Sequence, residues 1–409
     1  MSEQYKLPEG WRWVKLGEVC ETNPRRPKNF ERPSEAPTTF VPMAAVDEKK
    51  GAIANPEIVP YSKVSKGYTY FEENDVLFAK ITPCMQNGKH VIARNLIDGI
   101  GFGTTEFHVL RPNHEILPEW IHFFIRQSYF LEEATLYFTG AVGQQRVPES
   151  FLTNYIIPLP PIDVQHRIAS KLQELMEQID RARSACEKQL EAANALPSAY
   201  LREVFESEEA KKWERKRLGE VFDLQQGAAM SPKRRLGINP HPFLRTKNIL
   251  WGRLDLSEVD KMDFSEDEIA KLSLKDGDLL VCEGGEVGKT AIWRGEIETC
   301  LYQNHIHRLR RRNEGVIPEF FMYWMQAAFQ VFSLYKGQSS NTTIPNLSGT
   351  RLAKFIVPFP PQETQHRLVS YLKEKVAYVQ NLQSAIRNQQ STLEALPQAI
   401  LRKAFRGEL

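Results

Sequence analysis

Across 409 residues the chain is 42% hydrophobic and 25% charged with a formal net charge of +2, a balance that suits a soluble globular protein large enough for two or more cores; any affinity for polyanions must then come from local clusters rather than from the total. The opening MSEQYKLPEGWRW lacks the apolar core of a secretion signal, and no run of about 18 apolar residues follows, so neither export nor a membrane partner is expected. Five scattered cysteines (Cys20, Cys84, Cys186, Cys282 and Cys300), odd in number and never in C-x-x-C spacing, exclude a disulfide framework and a structural zinc site, and they fit a reducing cytoplasm.

In chain order, the first region reads as mixed α/β. Short strand-like runs such as Thr39-Phe40-Val41-Pro42 and Val76-Leu77-Phe78-Ala79 lie between Gly, Asn and Pro turns. The first strand is followed by the cationic loop Asn23-Pro24-Arg25-Arg26-Pro27-Lys28-Asn29. Gly99 to Gly103 has the glycine content of a cofactor loop, but a strand turn accounts for it. Glu119 to Ile125 is an apolar, aromatic helix that belongs in a core, and the polar loop Thr139-Gly140-Ala141-Val142-Gly143-Gln144-Gln145-Arg146 comes after it.

A long helical stretch follows, and its content returns later without a gap. Residues 158–205 and 358–405 share Pro160/Pro360, Pro161/Pro361, Gln165-His166-Arg167 with Gln365-His366-Arg367, Leu196-Pro197 with Leu396-Pro397, and Phe205/Phe405. In the first copy Ile168, Leu172, Leu175, Ile179, Ala182, Cys186, Ala193 and Leu196 follow steps of three and four, and Leu368, Leu372, Val379, Leu382, Ile386, Leu393 and Leu396 do so in the second. The tandem prolines favour a clean helix start, and Asp163 and Glu363 then sit where the helix dipole favours a carboxylate. Pro197 and Pro397 are expected to end or kink the helices, giving rods of roughly 50 Å. Gln189 and Gln389 fall at matching inward positions, either as register-fixing polar residues or where the seam meets solvent. Each rod has one apolar stripe, which antiparallel packing of the pair would bury. His166 and His366, at equivalent helix starts, are read as packing or capping groups rather than catalysts.

The repeat extends outward. Trp13 to Val19 resembles Lys216 to Val221, Asp75-Val76-Leu77-Phe78 answers Asp278-Leu279-Leu280-Val281, and Leu117-Pro118-Glu119-Trp120 answers Ile317-Pro318-Glu319-Phe320. Between these anchors the halves differ almost completely: one frame holds different contents. The second region has the strand-like run Leu279-Leu280-Val281-Cys282, the aromatic helix Glu319 to Met325, and two loops placed like those of the first. These are Gln225 to Arg235, with Lys233, Arg234 and Arg235, and Lys336 to Thr342, with Gln338, Ser339 and Asn341.

Catalytic signatures fail one by one. Gly284-Gly285-Glu286-Val287-Gly288-Lys289-Thr290 holds Glu283 where a phosphate-binding loop needs its first glycine. Neither Leu159-Pro160-Pro161-Ile162 nor Asn239-Pro240-His241-Pro242-Phe243 has the form by which amino-methyltransferases grip a flipped base. The nine histidines show no metal-ligand spacing. No catalytic, cofactor or metal residue is therefore assigned. The paired polar loops carry what remains: Arg25, Arg26, Lys28, Lys233, Arg234 and Arg235 suit phosphates, while Gln144, Gln145, Arg146, Gln338, Ser339 and Asn341 include side chains able to bond base edges. Lys211, Lys212, Arg215, Lys216 and Arg217 are read as a solvated linker face, with a third nucleic-acid contact as the alternative.

The opening LPEGWRWVKLGEV, the PLPP…Q-H-R…LP…LR…F close of each half and the final ILRKAFRGEL resemble, over the whole chain, the specificity subunits of type I restriction–modification systems. Where that family commonly has glutamate before the glutamine of the helix start, Val164 and Thr364 stand here. The resemblance implies a non-catalytic subunit with two α/β target-recognition domains, 1–160 and 211–360, and two helical spacers, 161–210 and 361–409, the long helices forming an antiparallel, coiled-coil-like pair. It implies partners too: double-stranded DNA, two modification subunits that hold S-adenosylmethionine and methylate adenine, and a restriction–translocase subunit. Each domain would read one half of an asymmetric bipartite site, with the helices setting the gap. Two alternatives are a repeat scaffold that binds only proteins and the reading fragment of a single-chain restriction–methylation enzyme.

Overall fold

The computed structural model describes residues 6–48, 50–141, 144–235, 237–334 and 347–409. It divides into two compact units, Met1–Cys186 with Asn388–Leu409, and Glu187–Arg387. Each unit thus takes one variable region, the start of one long helix and the end of the other.

In the first unit, strand Arg12–Lys15 pairs antiparallel with Ile156–Leu159. A four-stranded sheet runs in the order Cys20–Thr22, Phe107–Pro112, Val76–Ala79, His90–Ile92. A second sheet runs Glu57–Pro60, Pro37–Val41, Ile100–Gly103, Thr69–Glu72, its central pair parallel. The second unit repeats this with Glu214–Arg217 on Ile356–Phe359, and with a sheet ordered Phe222–Gln226, Ile306–Arg311, Leu279–Cys282, Thr290–Ile292. Its other main sheet has three described strands, Asp260–Asp263, Pro240–Leu244 and Leu301–Tyr302.

The anchors shared by the halves are the residues that hold this frame. Gln165, fully buried, accepts a hydrogen bond from Leu117 N (2.9 Å) and donates to the carbonyls of Glu115 (2.8 Å) and Pro160 (2.9 Å). Gln365 repeats this on Ile317 N (2.9 Å), Gly315 O (3.2 Å) and Pro360 O (2.9 Å). The Q-H-R and L/I-P-E motifs are therefore two ends of one contact. Asp75 and Asp278, buried at matching strand starts, each accept two bonds from an arginine, Arg111 (2.9 and 2.8 Å) and Arg310 (2.8 and 2.6 Å). In the repeated Leu-Gly-Glu-Val turns, a Cβ on Gly17 would lie 2.9 Å from the Thr153 carbonyl and one on Gly219 3.3 Å from that of Ala353, so glycine permits the close approach of the neighbouring helix.

The aromatic helices Pro118–Ile125 and Pro318–Gln326 are core, as their composition predicts. Trp120 and Phe124 pack on Phe405, and Phe320 and Trp324 on Phe205, at ring separations of 4.4 to 5.5 Å. The start of one long helix and the end of the other meet in each unit: Ile168 and Leu172 share a core with Leu401, Ala404 and Phe405, and Leu201, Val204 and Phe205 share one with Leu368, Val369 and Leu372. The helices pack antiparallel in both places. Leu172, Ile179, Cys186 and Ala193 are buried at seven-residue intervals, as are Leu372, Val379 and Ile386.

The structure corrects one expectation about the helices and bears on two others. The helices do not stop or break at Pro197 and Pro397 but run 44 residues each, Ile162–Phe205 and Gln362–Phe405. The anchored turn beyond each proline, with Leu201 and Phe205 or Leu401 and Phe405 in a core, outweighs the lost backbone bond. The carbonyl that Pro397 deprives of its partner, Leu393 O, accepts a bond from Arg183 at 3.1 Å. Gln189 and Gln389 are exposed, at the solvent border of the seam, and Gln389 Oε1 accepts from buried Cys186 of the other helix at 4.0 Å. His166 and His366 are exposed as well, because the glutamine before each takes the inward place.

Two predictions follow from these contacts. Gln165→Leu strands one N–H and two carbonyls in the first core and should lower that unit's stability by roughly 2–4 kcal/mol, with Gln365→Leu doing the same in the second; urea unfolding followed by hydrogen exchange resolves the units, and a loss under about 0.5 kcal/mol would refute the role. The second concerns acid. His90 and His122 are fully buried together, His90 stacked on Phe78 at 4.3 Å with no partner for either ring nitrogen among the described residues, and His122 donating to His90 O at 3.1 Å. Burial pushes both below the ordinary histidine value of 6.5, His122 to about 3. The folded form keeps them neutral while the unfolded chain takes up protons, so stability falls as pH drops below 6.5, by about 1.4 kcal/mol per pH unit for each. The second unit has Thr290 and Met322 at these points, so the first unit should be the acid-labile one. In His90→Thr/His122→Met the acid slope of its unfolding free energy should flatten; an unchanged slope would sink the assignment.

Candidate nucleic-acid interface

The open edge of the first sheet gathers the loops singled out by sequence. Asn23, at the end of strand Cys20–Thr22, has a left-handed backbone (φ 50) that its short polar side chain tolerates. It accepts from Val109 N (3.0 Å) and donates to Glu149 (2.8 Å) and to His108 Nδ1 (3.0 Å). His108 in turn donates from Nε2 to Val147 O at 2.9 Å, and burial lowers its pKa, which keeps the ring neutral. Strand Val76–Ala79 ends in Lys80, whose backbone bonds Glu106 O (2.9 Å) and Val147 N (3.0 Å), and Thr82 N bonds Gln145 O (3.0 Å). Residues 23–26, 80–82, 104–106 and 144–147 are therefore tied into one edge.

A cleft of about 500 Å³ lies along this edge, lined by Asn23, Arg25, Arg26, Lys80 and Thr105 and by the rings of Tyr68, Tyr70 and Phe102. Arg26 is steered into it by bonds to the Tyr61 hydroxyl (2.7 Å) and Ser65 O (3.0 Å). Arg25 and Lys28 are exposed. Arg146 grips Glu106 through two bonds (2.8 and 2.7 Å) and its own loop through Gln144 O (2.9 Å); that pairing holds the Glu106 pKa low. Lys80, half-buried in the cleft, has its pKa lowered by burial. Gln144 is exposed and Gln145 half-exposed.

The second unit builds the same edge with other residues. Glu283 follows strand Leu279–Cys282, and its backbone bonds His305 O (2.9 Å) and Leu347 N (2.9 Å), as Lys80 bonds Glu106 and Val147. His307 donates from Nε2 to Leu347 O at 3.0 Å, as His108 does to Val147, and burial lowers its pKa as well. Gln226 bridges Glu283 (2.8 Å) and Asn304 O (2.9 Å). A second cleft of about 470 Å³ is lined by Met230, Ser231, Arg234, Lys261 and Asp263. Arg234 is held there by Glu268 (2.9 Å) and lies over the Phe264 ring. Lys233 and Arg235 belong to the short turn Pro232–Arg235, with side chains outside the described residues. Gln338, Ser339 and Asn341 also lie outside them.

Other sequence features find structural uses. Lys289 of the phosphate-loop decoy is paired with Glu286 (2.6 Å), and Thr290 is buried, donating to Gly288 O (2.8 Å). In the 211–217 cluster, Arg215 lies over Trp324 and Lys216 over Phe359. Among the described residues no group of three His, Cys, Asp or Glu could hold a metal ion, and no helix is long and apolar enough to cross a membrane. Sequence reasoning did not single out Lys80, and met Glu283 only as the misfit in a phosphate-loop pattern. The signal was available, since each follows a matched strand, Asp75–Phe78 or Asp278–Val281, by the same interval.

Fold and edges together define a duplicated recognition protein: one scaffold built twice, presenting unlike polar residues at matching strand ends. The model for the type I restriction modification DNA specificity domain matches residues 8–192 and 210–389, and the chain belongs to that family. Among its relatives in Escherichia coli, the EcoAI specificity subunit is 23% identical over 97% of this chain and 82% of its own length. The EcoEI specificity subunit is 36% identical over 54% of this chain, and the matched part is 37% of that relative's length. The crystal structure of the HsdS subunit from Thermoanaerobacter tengcongensis superposes with a TM-score of 0.74 at 27% identity, covering 100% of this chain and 99% of that one.

Proposed function

We propose that this chain is the non-catalytic DNA-reading subunit of a type I restriction–modification complex, each unit reading one half of an asymmetric bipartite site. The observation that carries the reading is the repeated edge. Identical backbone bonds at Lys80 and Glu283 present different side chains in each unit, which is what two unlike half-sites require. The proportions of the relatives agree with it, since they are named specificity subunits over most of this chain. Arg25, Arg26 and Lys28 in the first unit, and Lys233, Arg234 and Arg235 in the second, act on phosphates and set register; Gln144, Gln145, Gln338, Ser339 and Asn341 are of the types that read base edges. Arg146, committed to Glu106, stiffens its loop.

The partners are double-stranded DNA and two modification subunits, with a restriction–translocase subunit joining them in the cytoplasm. S-adenosylmethionine belongs on the modification subunits, where it supplies the methyl group for adenine. This chain contributes none of that chemistry; it places the duplex.

A gel shift of the chain with its modification subunits on duplex DNA, run over a salt series, tests the reading. Binding should weaken steeply with salt, and Arg25→Ala and Arg26→Ala should each weaken it evenly across sequences and reduce the salt slope by about one. A complex that holds its protein partners but does not shift DNA would favour the protein-only scaffold and overturn the proposal.

A further inference from the structure

The two edges match in backbone and carry opposite charges at one matched point. Lys80 and Glu283 occupy the same point of the frame, set by the same two backbone bonds and beside the same neutral histidine. Lys80 offers donors and no acceptor; Glu283 offers acceptors and no donor. The fold leaves the Lys80 ammonium and one Glu283 oxygen without a bond among the described residues. The Lys80 ammonium lines the first cleft, with no ion pair or hydrogen bond among the described residues. Glu283 is 6% exposed, and Gln226 and His307 both approach its Oε2 (2.8 and 3.6 Å), while Oε1 accepts no bond among the described residues.

A carboxylate beside DNA is repelled by phosphates, so it gains only where an amino group meets it. In the major groove those are cytosine N4 and adenine N6. A lysine meets the opposite edge, the O6 and N7 acceptors of guanine. Resting on the DNA-reading function above, we infer that Lys80 and Glu283 are the oppositely signed specificity residues of the two units: Lys80 selects guanine at one position of one half-site, and Glu283 selects an amino-bearing base, cytosine or adenine, at one position of the other.

The test uses the full chain assembled with its modification subunits and a pool of randomised duplex DNA, with the bound fraction sequenced. For Lys80→Gln, preference for guanine should fall roughly ten-fold or more at one position of one half-site, with the other half-site unchanged. Lys80→Arg should retain guanine, and Lys80→Glu should exchange it for an amino-bearing base. Glu283→Gln, which keeps Oε1 as an acceptor and adds a donor, should shift the other half-site toward adenine at one position. Lys80→Gln or Lys80→Glu variants that leave guanine selected, a Glu283→Gln variant that leaves a wild-type cytosine selected, or any of these that bind every sequence equally more weakly or alter both half-sites would overturn the inference. If the wild-type complex selects no sequence at all, the DNA-reading function itself fails, a result distinct from selection that these variants do not change.

Discussion

A single buried glutamine at the start of each long helix governs the rest of the molecule. Gln165 and Gln365 satisfy the backbone at three points at once: the carbonyl before the helix, the carbonyl before the aromatic helix, and the N–H that begins that helix. An amide buried so completely must find all its partners or forfeit much of the unit's stability. The contact therefore fixes helix against sheet, and with it the aromatic helix whose Trp120 or Phe320 receives the far end of the other long helix. The histidine and arginine beside each glutamine stay exposed because the glutamine takes the inward place.

From that latch the division of labour follows. The frame repeats wherever backbone must be held: the aspartate–arginine pairs at strand starts, the close glycine approaches of the Leu-Gly-Glu-Val turns, and the histidines that pin the returning loops to Val147 and Leu347. It stops repeating one residue later, where side chains leave the sheet. A scaffold that ends each strand in the same place while leaving the next residue unconstrained can change what it recognises without refolding. Lys80 and Glu283 show how far such a change can go, to a reversal of charge on an unchanged backbone. The first unit bears a cost of its own, since His90 and His122 are held neutral in a core where the second unit has Thr290 and Met322.

Much of this was legible in the amino-acid order. The ungapped likeness of residues 158–205 and 358–405, the three-and-four spacing of their apolar residues and the matched anchors identify the duplication, the long paired helices and the aromatic core helices, because periodicity and repetition are local properties that burial of one stripe imposes directly. Sequence also located two loops that meet at the first unit's edge, Asn23 to Asn29 and Thr139 to Arg146. Local rules misled where tertiary packing outweighed them: Pro197 and Pro397 remain inside their helices since the turns beyond are anchored in cores, with Arg183 serving the carbonyl freed by Pro397.

Tertiary structure alone decided which polar residues meet. Lys80 is an ordinary lysine after a strand, and Glu283 a misplaced residue in a failed phosphate loop, until backbone bonds to residues 106 and 147, or 305 and 347, show them to be one position. That Arg146 is spent on Glu106 while Lys80 is left open depends on loops brought together across more than sixty residues of chain. Periodicity describes which face of an element is buried; it has no term for the side chains that distant loops bring to a common edge, and recognition is settled there.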